Sequence, residues 1–187
     1  MKARINSIIS LIFWGITSLY LGIGGCLKTE NYNFVSGQYN FNDTTKVIDI
    51  SNDLPYSNYA ELKLANEDNK SAKIFPFLSI IPGYMGLILT ACFFGMLGGI
   101  ISILKDIALE NIKPEDTKYF SIPLLSFFTG LVILGINYII PTILVIGENK
   151  IRPITLLFLS LFAGIYTRQF YQFISSIIKT KIFNYEN

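Results

Sequence analysis

The side chains in this chain that could do acid, base or nucleophilic chemistry are thirteen carboxylates, fifteen lysines and arginines, and two cysteines, Cys26 and Cys92; there is no histidine. An imidazole base, an imidazole metal ligand and a histidine pH switch are therefore excluded. The cysteines stand far apart in apolar tracts, a spacing that suits neither a disulfide framework nor a zinc site. A serine or threonine nucleophile would need a lysine or carboxylate partner, yet every carboxylate lies outside the apolar cores of the chain. These residues predict a protein that is not an enzyme, with no cofactor and no metal. The lack of an acidic residue in mid-tract also argues against a proton-coupled transporter.

Cys26 has one chemistry of its own. Lys2 and Arg4, an apolar zone and Ile23-Gly24-Gly25-Cys26 follow one another as in a lipoprotein signal, which would make Cys26 a lipidated N-terminus. Against that, the apolar zone contains Trp14 and Tyr20, exceeds the usual ~7–15 residues of a signal, and is followed by further apolar tracts. The sequence favours an uncut first span and leaves lipidation of Cys26 as the alternative. Asn42-Asp43-Thr44 and Asn69-Lys70-Ser71 fit the glycosylation pattern, a match that arises easily in a chain rich in asparagine.

The elements that carry these residues are apolar. Hydrophobic residues make up 51% of the 187 and charged ones 15%, with a mean hydropathy of +0.48, whereas soluble domains hold roughly 25% charged residues. Apolar tracts at 5–25, 74–104, 119–146 and 151–178 each reach the ~20 residues that cross a ~30 Å hydrocarbon core. The expected fold is an all-α integral membrane protein with four transmembrane helices, a small outer loop domain and a C-terminal interfacial helix. Its parts read as a first span at 1–26, an extracytoplasmic segment at 27–75, a second span at 76–104, a cytoplasmic loop at 105–118, a third span at 119–146, and a fourth span with an interfacial tail at 147–187.

Lys2 and Arg4 before the first span, with Arg168, Lys179 and Lys181 after the last, place both termini in the cytoplasm of a bacterial inner membrane. Residues 27–73 hold five lysines against seven carboxylates, a net charge of −2 suited to the outer face. Within them Tyr-Asn-Phe occurs at 32–34 and 39–41 around Ser36-Gly37, which suggests a β-hairpin. Pro141 is expected to end the third helix, and 141–153 to make a short outer turn. The polar positions of 168–181, interleaved with phenylalanine and isoleucine, read as a helix lying at the inner interface or on a partner. A nucleic-acid role is not expected, because no basic stripe stands outside the membrane flanks.

Inside the spans, small and polar residues stand out. Gly95 and Gly99 are four apart with Gly98 beside them, and Gly130, Gly135 and Gly164 extend the theme on later tracts. Such residues let helix backbones approach closely, within one subunit or across an oligomer seam. Asn137 is an intramembrane amide expected to hydrogen-bond another helix, or alternatively to line a pore, and Arg168 is expected to snorkel to the inner headgroups.

Residues 94–174 resemble a membrane hairpin found in many bacterial proteins, carried by "GMLGGIISIL", "PLLSFFTGLVILG" and "LFLSLFAGIYTRQF". In the Ala-Gly-Phe-Ser-Glu-Arg ending, Ile165, Tyr166 and Thr167 replace Phe, Ser and Glu, so Gly164 and Arg168 carry over, with Ala163 before them. Proteins of this build are similar to accessory membrane subunits of antiviral systems, such as the four-span subunit of Kiwa or those beside some CRISPR loci. The resemblance implies a non-enzymatic, homo-oligomeric inner-membrane protein that senses or perturbs the bilayer and recruits a cytoplasmic partner through 105–118 and the C-terminal helix. A small channel or transporter subunit and an envelope-assembly factor are the alternatives.

Overall fold

The computed structural model describes residues 2–43, 45–49, 54–110, 118–144 and 153–179. Its elements are α1 (Lys2–Gln38), β1 (Val47–Asp49), β2 (Leu54–Tyr56), α2 (Tyr59–Ala72), a 3₁₀ turn (Pro76–Ser79), α3 (Gly83–Glu110), α4 (Lys118–Leu144), α5 (Pro153–Ile165) and α6 (Thr167–Ile178). They form two compact units: Tyr20–Thr90, and Met1–Leu19 together with Ala91–Asn187.

The expected four spans are corrected by helix length. Three described helices are long and apolar enough to cross a membrane: Ile8–Gln38, Gly83–Leu109 and Phe120–Tyr138. The fourth apolar tract is not one rod, because α5 ends at Ile165 and α6 begins at Thr167. Tyr166 between them takes φ −104° and ψ 29°, off the helical region. The 13 residues of α5 rise only about 20 Å, against a ~30 Å core. Hydropathy records composition along the tract and is blind to this break in the backbone.

The expected hairpin at 32–41 is also corrected, since α1 continues through Ser36-Gly37 to Gln38. Ser36 Oγ bonds back to the Asn33 carbonyl at 3.1 Å, and Val35 is fully buried. Lys28, Asn31 and Val35 fall at helical spacing, and this period prevailed over the alternation of aromatics. Tyr32 instead stacks on Phe41 at 5.6 Å between centroids. A two-stranded antiparallel ribbon does occur, pairing Val47 with Tyr56 and Asp49 with Leu54. With three residues per strand it is too small to make a domain of its own.

The unit Tyr20–Thr90 is organised by α2. Asn58 caps that helix by accepting from the Glu61 amide at 2.9 Å, while the Glu61 carboxylate accepts from the Ser57 amide at 3.0 Å. This reciprocal arrangement satisfies donors that a helix start leaves free. Leu78, Phe75, Ala60 and Val35 are its buried apolar residues.

In the other unit, Leu11, Met96, Ile100 and Ile103 make a buried cluster, with Trp14, Phe93, Ile107, Ile122 and Phe127 packed against it. Phe93 meets Phe127 edge-on at 5.6 Å, and Trp14 meets Phe120 at 6.2 Å. Pro141 falls inside the last turn of α4, which runs to Leu144, so the helix does not end there. The rest of the expected outer turn, 145–152, lies outside the described residues, as do 111–117 of the expected cytoplasmic loop, Thr44 of one glycosylation pattern, and 180–187 of the tail.

Candidate functional site

Helix α3 brings three glycines against two neighbours of the same chain. A Cβ at Gly95 would stand 2.5 Å from the Ser126 carbonyl and 3.0 Å from Gly130 Cα, both on α4. One at Gly98 would stand 2.7 Å from the Ile165 nitrogen and 2.8 Å from Gly164 Cα. One at Gly99 would meet Ser126 Cβ at 2.7 Å. From the opposite side, a Cβ at Gly164 would be 3.1 Å from Gly98 Cα and one at Gly130 would be 3.1 Å from Cys92 Cα. Van der Waals contact needs about 3.5–4.0 Å, so no side chain fits at these positions. Gly95, Gly98, Gly99, Gly130 and Gly164 thus form one intrachain seam among α3, α4 and α5. Gly135 is not part of it, because a Cβ there would meet nothing within 4 Å.

Hydroxyls complete the seam. Ser126 Oγ lies 2.8 Å from Thr167 Oγ1 and 3.3 Å from the Gly164 carbonyl. Thr167 also donates to the Gly164 carbonyl, at 2.8 Å, and Thr129 Oγ1 reaches Thr167 Oγ1 at 3.5 Å. The break between α5 and α6 frees backbone carbonyls, and Thr167 and Ser126 answer one of them. All three hydroxyl residues are buried. Composition had pointed to the glycines; the hydroxyls were missed, although Ser126 and Gly130 stand four apart on α4, a spacing that puts them on one face.

Two further arrangements lie in the unit Tyr20–Thr90. Gly25 on α1 and Gly86 on α3 approach so closely that a Cβ at Gly25 would be 2.6 Å from the Gly86 carbonyl oxygen. Each glycine is followed four residues later by a buried threonine, Thr29 and Thr90, whose hydroxyl bonds back to that glycine's carbonyl at 3.1 and 2.8 Å. The paired Gly-x-x-x-Thr spacing was visible in the sequence but was overshadowed by the lipoprotein-like reading of Gly24-Gly25-Cys26. Cys26 itself sits half-buried within the continuous α1.

The second arrangement is a buried ion pair. Lys28 of α1 donates to Asp68 of α2 and to the Leu78 carbonyl at 2.9 Å. Asn31 donates to the other Asp68 oxygen at 3.1 Å and to Ser71 Oγ at 3.3 Å. Lys28 and Asp68 are only 6% and 7% exposed, so each depends on the other for its solvation. Glu67, beside them in sequence and half-buried, has its carboxyl held below the ordinary range by a hydrogen bond from Lys70.

The remaining singled-out residues stand apart. Asn137 donates to the Ile133 carbonyl of its own helix at 2.9 Å, and Arg168 is exposed at the start of α6. Among the described residues no three His, Cys, Asp or Glu side chains cluster as metal ligands would. The chemistry this arrangement supports is helix packing through backbone contact, buried hydroxyls and one internal ion pair. No protein-family model, curated protein or solved structure matches the chain.

Proposed function

We propose that this chain is a polytopic membrane protein with a structural role, a helical scaffold set in the bilayer with no catalytic centre. One observation carries the reading: the unit of Met1–Leu19 and Ala91–Asn187 is apolar on its outside and buries hydroxyl groups within an apolar core. Phe13, Phe120 and Phe162 are 64%, 59% and 57% exposed, and Ile12, Ile16, Leu104, Leu131 and Phe158 are exposed with them. Ser126 and Thr129 are fully buried and Thr167 is 5% exposed, each with its hydroxyl hydrogen-bonded. A water-soluble monomer rarely exposes an apolar patch beyond a few hundred Å². Lipid reverses that constraint, because there the backbone and hydroxyl groups are the ones that must find partners within the protein.

A non-catalytic role is supported by what the interior contains. Its Ser126, Thr129 and Thr167 hydroxyls bond to carbonyls or to one another, and among the described residues no base stands by them to activate a nucleophile. Self-association would use the exposed aliphatic faces, since the α3 glycines are occupied within the chain. In the setting that the resemblance over 94–174 implies, an antiviral system at the bacterial inner membrane, such a scaffold would hold a soluble partner at the bilayer.

Alkaline carbonate extraction of membranes bearing the full-length protein tests the reading. Retention in the pellet, with release only by detergent, is the expected result. Release into the alkaline supernatant sinks it.

A further inference from the structure

We propose that residues 74–84, the 3₁₀ turn with its flanks and the start of α3, lie in the headgroup layer of the bilayer as an interfacial anchor, an inference that rests on the membrane reading above. With the anchor there, α1 leaves the hydrocarbon near Lys28, and its remaining turns stand in water beside α2.

Helix length sets the exit point. The apolar stretch Ile8–Gln38 of α1 has 31 residues and rises about 46 Å, about 16 Å more than a ~30 Å core accepts. Tilt does not absorb the excess, since such a rod would have to lean about 50°, outside the range of about 0–40° that membrane helices take. Counted back from Gln38, the excess is about eleven residues and starts at Lys28, the first charged residue of the stretch.

The turn is held at that same level of α1. Tyr20 donates to the Ile74 carbonyl at 3.0 Å, and its ring packs on Phe75 at 4.9 Å and on Phe77 at 5.6 Å between centroids. Lys28 donates to the Leu78 carbonyl at 2.9 Å, and a Cβ at Gly24 would stand 3.2 Å from the Phe75 ring. The turn therefore runs alongside α1 from Tyr20 to Lys28, with Phe75 and Leu78 buried. Its flanks are open: Ile74 and Ile80 are 69% and 83% exposed, and Tyr84 is 68% exposed.

The distribution of exposed aliphatic side chains says what covers them. Among the described residues of the unit Tyr20–Thr90, the exposed isoleucines are Ile23 on α1 and Ile74 and Ile80 at the two ends of the turn. Beyond Lys28 the exposed large apolar residues are the aromatics Tyr32, Phe34 and Tyr59, and α2 carries the ion pairs of Glu67 with Lys63 and Lys70. A band of isoleucines at the level where α1 outgrows the hydrocarbon suits a bilayer surface, which meets every element at one depth. Tyr20 and Tyr84 in that band match the aromatic belt of membrane interfaces, where an apolar ring and a polar hydroxyl each meet their own medium.

The test reads tryptophan depth in the full-length protein reconstituted in phosphatidylcholine vesicles, with lipids brominated near the glycerol or near the chain ends, and with iodide in the buffer. Native Trp14 reports the membrane reading by itself: it lies about 21 Å along α1 from Lys28, and chain-end bromines should quench it. In a Trp14→Phe background, Ile80→Trp should lose more fluorescence to bromines near the glycerol than to those at the chain ends, and Ile74→Trp should behave alike. Phe34→Trp in the same background stands about 9 Å beyond Lys28 and should answer to iodide and to neither bromolipid. Ile80→Trp is read with Trp14 kept as well, so the outcome does not hang on the background substitution. Shielding of Ile80→Trp from both bromine and iodide, the mark of a covering protein surface, overturns the anchor; so does iodide quenching of Ile80→Trp without bromine quenching, or bromine quenching of Phe34→Trp. Escape of native Trp14 from both bromolipids overturns the membrane reading and the anchor with it, a failure distinct from loss of the anchor with Trp14 still quenched.

Discussion

Replacing Gly98 with alanine adds one methyl group where α3 meets α5. That methyl would press hardest on the Leu161 carbonyl and stand 2.7–2.8 Å from Ile165 N and Gly164 Cα, against the 3.5–4.0 Å of ordinary contact, so the two helices must part by at least roughly 0.8 Å. A gap of that size forfeits a quarter to a half of each ~0.1–0.2 kcal/mol atom pair. For a seam with on the order of 40 such pairs, about the number one buried leucine makes, the loss is about 2 kcal/mol. The substitution also brings the higher helix propensity of alanine, worth up to about 1 kcal/mol.

Gly135→Ala isolates the packing loss, because its Cβ meets nothing within 4 Å and it carries the propensity gain alone. The two variants should differ by about 2 kcal/mol. Reversible unfolding by SDS in mixed micelles measures the difference, followed by the fluorescence of Trp14, the single tryptophan, which packs edge-on against Phe120. A difference under about 0.5 kcal/mol would refute the seam as the element that sets helix spacing.

Lys28→Met strands the buried Asp68 and should cost about 3–5 kcal/mol, while Lys28→Met/Asp68→Leu should be less destabilised than either single change, as thermal unfolding would show; additive losses would mean the pair is not coupled. Ser126→Ala and Thr167→Val should couple by about 0.6–1.7 kcal/mol in a double-mutant cycle, the range for hydroxyl bonds between membrane helices. Asn137→Leu should change unfolding free energy by less than about 0.5 kcal/mol, because its amide bonds within its own helix. A larger loss would reveal a partner on another helix.

How much of this was legible follows from what each signal encodes. The small residues of α3 announced close packing because only glycine allows backbone contact, and the structure places Gly95, Gly98 and Gly99 against Ser126, Gly130 and Gly164. Gly135 carried the same chemical signal and packs on nothing, since a residue type does not say which face of its helix has a neighbour. The polar segment was misread at 32–41 because its aromatics suit a strand and the end of a helix equally well, and α1 runs on to Gln38. Lys28 and Asp68 are 40 residues apart, and a sum of charges over 27–73 treats them as solvated ions.

The sequence by itself determined that the chain carries apolar tracts of span length, because composition is a local property summed along the chain. It also determined that histidine chemistry is absent. Only the tertiary structure decided that the fourth tract breaks at Tyr166, that α1 runs past Cys26 to Gln38, and that Lys28 is buried against Asp68. Each of these depends on partners distant in sequence: Ser126 answering Gly164 across the break, Phe75 and Leu89 packed against Gly24 and Gly25 of α1, and α2 carrying a carboxylate to a lysine. Composition is additive along a chain, whereas contact is a product of where two segments meet.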